Sequence, residues 1–101
     1  MEPYTFTVQS AQAALQAGRL SSVDLTTSVL DRIYRVDNSV RAYLAVTPEV
    51  ALEQAAEADK RRAEGDTSPL LGIPFALKDI VSTAGITTTC GSRMLAEYVP
   101  P

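Results

Sequence analysis

Residues 70–92 read Leu70-Leu-Gly-Ile-Pro-Phe-Ala-Leu-Lys-Asp-Ile-Val-Ser-Thr-Ala-Gly-Ile-Thr-Thr-Thr-Cys-Gly-Ser92. The first eight are apolar except for Gly72 and Pro74, and the run stops at Lys78 and Asp79. A short apolar run bounded by Gly and Pro reads as a buried strand, since it is too brief for a helix and Pro74 would break one. The reading predicts a strand over 72–78. Ile73, Phe75 and Leu77 then share one face and Pro74 and Ala76 the other. With neither face polar, the strand belongs inside a sheet covered on both sides, which makes the fold α/β. The residue that ends such a strand sits at a sheet edge, where α/β proteins place chemistry. Here it is Lys78, and burial there disfavours an ammonium ion and suits a lysine to act as a base. A solvated strand-to-loop corner at Lys78 and Asp79 is the plain alternative.

Upstream, the chain predicts three helices and one further strand. Thr7 is positioned to cap a helix over 8–17 that ends at Gly18. Ser21 or Ser22 caps a second over 22–37, with Asp24 in its first turn and Asp37-Asn38-Ser39 as its terminating turn. Leu25, Val29, Ile33 and Val36 form its apolar stripe, which is core packing. A short strand is expected at 42–46. Thr47-Pro48-Glu49 then reads as cap, first helical position and acidic first turn of a third helix over 48–64. Glu57 and Arg61 are spaced for an i,i+4 pair, and Lys60-Arg61-Arg62 reads as a solvated helix end. Beyond Lys78, Ser92 is expected to cap a short helix over 93–97, and Cys90 reads as a small buried packing residue.

Composition narrows the chemistry. The 101 residues are 46% hydrophobic, as expected of a globular chain, and carry 9 basic against 12 acidic groups, a net charge of −3. Such a balance makes a poor stand-alone binder of nucleic acid. There is no His and one Cys, which excludes a His-based triad, a His-ligated metal and an intramolecular disulfide. A lone Cys90 suits a reducing cytoplasm, where the protein is expected; Met1-Glu-Pro-Tyr does not read as a signal peptide, and no apolar run approaches a membrane span.

Gly72-Ile-Pro-Phe-Ala-Leu-Lys78-Asp79, then Thr83-Ala-Gly85 and Thr88-Thr-Cys-Gly-Ser92, resembles the lysine region of the amidase signature family. Leu20-Ser-Ser-Val-Asp-Leu25, Asp31-Arg-Ile33, Val36-Asp37, Ala42-Tyr-Leu44, Ala51-Leu-Glu-Gln-Ala55 and Ala58-Asp59 extend the resemblance over nearly the whole chain. It implies the amino-terminal part of an amidase fold, with helices leading into a mixed sheet covered on both faces. Members use a Ser, a second Ser in a cis peptide and a Lys. Only the Lys maps here, onto Lys78, so residues 1–101 by themselves are expected to be inactive. Ile80 departs from the Asn that many members carry at that place.

Within the family, Thr88-Thr89-Cys90 followed by Ser92-Arg93-Met94-Leu95 and Tyr98-Val99-Pro100-Pro101 resembles the glutaminase branch. That resemblance implies glutamine as substrate and two partners, the B and C subunits of a heterotrimeric amidotransferase. Ammonia would pass to the partner that activates misacylated glutamyl-tRNA with ATP and Mg²⁺, and tRNA would be contacted mainly through that partner. No cofactor is implied for this chain. Two alternatives stand beside it: an amidase of small or aliphatic amides, or a non-catalytic interaction module in which Lys78 merely ends a strand.

Overall fold

The structure is a computed structural model, and it describes residues 2–101. The chain divides into two compact units. The first comprises the residues up to Ala42 together with Val46–Pro74; the second comprises Tyr43–Ala45 and Phe75–Pro101.

The first unit is helical. After a 3-10 turn at Pro3–Thr5 come α1 (Val8–Gln16), α2 (Ser22–Val40) and α3 (Pro48–Ala63). Two of these start on reciprocal caps. The Thr7 hydroxyl accepts from the Ser10 N–H at 3.1 Å while the Ser10 hydroxyl accepts from the Thr7 N–H at 2.8 Å. Ser21 and Asp24 repeat the device at α2. Each satisfies amides that the first turn leaves without a helical partner. At α3, Pro48 takes the first position, but Thr47 makes no side-chain cap. α2 runs through the expected turn at 37–39 to Val40, because Asp37 takes up the end of the helix. Its carbonyl accepts from the Arg41 N–H and its carboxylate from the Ala42 N–H, with Arg41 left-handed at φ 54°.

α2 gains a second set of acceptors from α3. The Asp59 carboxylate takes the Ser22 N–H at 2.7 Å and the Val23 N–H at 3.1 Å. A carboxylate against first-turn amides is favoured both as an acceptor and by the positive end of the helix dipole. The small buried Ala55 and Ala58 lie on the same helix as Asp59.

The turn at 69–72 is tied to all three helices. Gln12 of α1 donates to the Pro69 carbonyl, Arg62 of α3 to the Leu71 carbonyl and Ser22 of α2 to the Gly72 carbonyl, at 2.6, 2.6 and 2.8 Å. Only glycine fits at 72. Its φ is +82°, and a Cβ there would come within 3.0 Å of the Ser22 Cβ. The turn hands Ile73 to a core of Ala11, Leu15 and Leu25, which Phe6 and Leu20 complete. Arg61 pairs with Asp66 at 2.7 Å instead of the expected Glu57. The hydroxyl of Ser68, then its N–H, and Arg61 hold the Asp66 carboxyl down at about 2.

The expected sheet is where sequence and structure part. Among the described residues there is no strand, and the one bridge is isolated, between Thr83 and Ile86. Residues 42–46 and 73–78 carry neither helix nor ladder. An apolar alternation makes an extended segment, but a strand exists only when a partner takes its N–H and C=O groups. Neither candidate finds one here. Phe75 is accordingly 81% exposed and Leu77 48%, although a two-sided apolar strand implies burial for both.

A candidate active-site loop

Lys78 lies in the second unit with its side chain exposed. Its carbonyl accepts from the Val81 N–H at 3.0 Å, closing a turn over 78–81. Among the described residues it enters no ion pair, and no serine hydroxyl is hydrogen-bonded to it. Ser92, the nearest serine to the glycine-rich end of the loop, is occupied elsewhere, accepting from the Met94 N–H as the cap of a 3-10 turn at Arg93–Leu95. That turn is shorter than the helix expected over 93–97.

The ordered part of the loop is built on the next residue, Asp79. Its carboxylate accepts from the Thr89 N–H at 2.8 Å, from the Thr89 hydroxyl, and from the Gly91 N–H at 3.2 Å. Its carbonyl accepts from the Cys90 N–H at 3.0 Å. One residue thus closes residues 79–91 onto themselves. The Thr89 hydroxyl, followed by the N–H groups of Thr89, Gly91 and Cys90, holds the Asp79 carboxyl below the ordinary carboxylate range. Thr88, buried at 3% exposure, ties the remainder. Its N–H donates to the Tyr98 carbonyl at 2.9 Å, and its hydroxyl accepts from Thr83 N–H and donates to the Ile86 carbonyl. The Gly85 N–H reaches the Pro100 carbonyl at 3.0 Å.

Cys90 is exposed, which corrects its expected burial, and it is left-handed at φ 52°. That backbone state is what lets Thr89, Cys90 and Gly91 direct three consecutive N–H groups at Asp79. No group of His, Cys, Asp and Glu among the described residues could hold a metal. No helix among them is long and apolar enough to cross a membrane.

The geometry therefore offers a lysine on a pinned backbone, followed by a hydroxyl-rich loop closed by one carboxylate. The Amidase family model matches residues 24–101. The chain belongs to the amidase family. Curated relatives agree along its length. It is 52% identical over 101 residues to the A subunit of glutamyl-tRNA(Gln) amidotransferase from Geobacter sp. (strain M21), covering 100% of this chain and 21% of the relative. To the protein of that name from Roseiflexus sp. (strain RS-1) it is 52% identical over 97 residues, 96% of this chain and 20% of the relative. To that of Desulfosudis oleivorans it is 50% identical over 101 residues, 100% and 21%. The chain thus spans about a fifth of the length of the relatives it matches.

The structure places Lys78 directly before the closed loop of this amidase segment. Sequence reasoning misses Asp79 as the hub of that loop, and for Thr88 and Thr89 it leaves open whether they line a cleft or are ordinary strand and turn residues. The available signal was composition: a carboxylate followed ten to twelve residues later by Thr-Cys-Gly, hydroxyl and small side chains that leave their amides free to converge. Asp59, by sequence one more charge beside Lys60–Arg62, is instead a cap on another helix.

Proposed function

We propose that this chain is the lysine-bearing part of the glutamine-hydrolysing A subunit of a glutamyl-tRNA(Gln) amidotransferase. What carries the reading is that relatives of that name match this chain from end to end at about half identity. Lys78 is the general base. In the complete active site it takes, through a bridging serine, the proton of the serine that attacks the glutamine carboxamide. The tetrahedral intermediate collapses with loss of ammonia, which carries the proton away, and water then releases glutamate from the acyl-enzyme. The ammonia serves a partner that activates misacylated glutamyl-tRNA with ATP and Mg²⁺, in a cytoplasmic assembly with B and C subunits. Residues 1–101 by themselves hydrolyse no amide, since Lys78 has no serine to activate within them. The bare Phe75 and Leu77, and the absence of ladder hydrogen bonds over 74–77, support a strand at 72–78 within a mixed sheet of the whole amidase domain.

The test is a graft. Residues 1–101 replace the matching segment of the Geobacter relative, and glutamine hydrolysis is measured with its partner subunits present. Lys78→Ala should lower kcat by about 10²-fold or more, the range in which a general base operates. Lys78→Arg should fail nearly as badly, because a guanidinium stays charged and takes up no proton. Lys60→Ala on α3 should be silent. An inactive parent graft, or a Lys78→Arg graft that keeps most of its activity, overturns the reading.

A further inference from the structure

Asp79 has a larger share of the loop than its neighbour's role requires. Four hydrogen bonds converge on it from Thr89, Cys90 and Gly91, three on the carboxylate and one on the carbonyl. On its other side the Lys78 carbonyl is already held by Val81. The backbone of Lys78 is thus fixed at its own carbonyl and at the following residue. Little else holds this unit: Thr88 and Pro100 are its buried residues, while Phe75, Leu77, Ile80, Val81 and Met94 are all exposed.

We infer that Asp79 is a positioning residue for glutamine hydrolysis: by clamping the Thr89–Gly91 backbone through its carboxylate, it sets the place from which Lys78 reaches the bridging serine. The inference rests on Lys78 being the base. Placement of this kind matters because a displacement of about 1 Å at a reacting group costs about 10²-fold in rate. Asparagine cannot reproduce the clamp. It offers one acceptor oxygen in place of two, and its NH₂ would face an N–H donor.

The same graft, assayed with its partner subunits, separates this role from simple packing. Asp79→Asn should lower kcat by about 10- to 100-fold with KM within about twofold of the parent. Thr89→Val, which keeps the shape and removes the hydroxyl, should lower kcat about tenfold. Thr89→Ser, which keeps the hydroxyl and removes the methyl, should restore it to within about threefold. A packing role predicts the reverse order, with Val tolerated and Ser costly. If Lys78→Ala abolishes hydrolysis while Asp79→Asn and Thr89→Val both keep more than half of kcat, the positioning role is overturned and the base assignment stands. If Lys78→Ala itself costs nothing, the functional reading fails and this inference falls with it. Should Asp79→Asn fail to fold by its thermal transition, the Thr89 pair decides alone.

Discussion

Single residues here are constrained by neighbours that lie far from them in sequence. Gly72 is the sharpest case, because two independent constraints meet on one Cα. Its φ of +82° is unfavourable for any L side chain, and its neighbour is the Ser22 Cβ, which belongs to a helix start and has little room to retreat. Gly72→Ala should therefore destabilise the first unit by about 1–3 kcal/mol. Gly18→Ala, at φ +72° with nothing within 4 Å, carries the backbone cost without the collision and should cost less. Thermal or urea denaturation of the two variants gives the comparison, and equal losses would show that the contact with Ser22 contributes nothing. Lys78 is the opposite kind of residue. It is exposed and enters no ion pair among the described residues, so its substitution should leave the stability of the chain unchanged, whatever it does to hydrolysis in the graft.

At the level of elements, α2 is held at its start by two different kinds of cap, and they were not equally readable. Ser21 and Asp24 are three residues apart, so the reciprocal cap is written in local spacing. The bonds from Ser22 and Val23 to Asp59 span 37 and 36 residues, and no pattern in α3 marks Asp59 as an acceptor. Asp59→Ala should cost about 0.5–2 kcal/mol, the usual range for losing a cap, and should lower helix content at α2 first. Amide exchange at Ser22 and Val23 is the direct readout. The same logic explains the strands. Alternation at 72–78 was legible, but pairing is a property of two segments, and neither 42–46 nor 73–78 meets a partner. The loop at 79–91 closes over ten to twelve residues through a left-handed Cys90, a backbone state for which cysteine gives no warning. Acid should open the carboxylate-held turns. Asp66 is held at about 2 against its ordinary 3.8 by Ser68 and Arg61, so the unfolded chain takes up its proton first. The turn's contribution is whole above about pH 4 and is lost as pH falls through about 2. Asp79, also lowered, follows with the same sign. The Ser68 amide signal should move in that interval, the Thr89 signal below the ordinary carboxylate range, and neither between pH 5 and 8.

For the whole chain, the two units differ in what holds them, and that difference sets how residues 1–101 behave by themselves. The first has an apolar core of Ala11, Leu15, Leu25 and Ile73, with capped helices around it. The second relies on hydrogen bonds around Asp79 and Thr88, while Phe75, Ile80, Val81 and Met94 remain bare. A hydrogen bond made in competition with water contributes about 1 kcal/mol net, less than the cost of ordering one or two residues, so such a unit lacks the cohesion that apolar burial supplies. The isolated chain should accordingly show helical circular dichroism with a broad thermal transition. Amides of α1 to α3 should exchange slowly, and those from Phe75 onward quickly, with Thr88, Thr89, Cys90 and Gly91 slower than their neighbours. The exposed apolar side chains should also bind a hydrophobic dye such as ANS, and Phe75→Ser should reduce that binding without changing the helical signal. A single sharp transition that protects both units equally would mean that the second has found cohesion in its polar bonds alone. The case for a strand at 72–78 that needs the rest of an amidase sheet would then lose its physical basis.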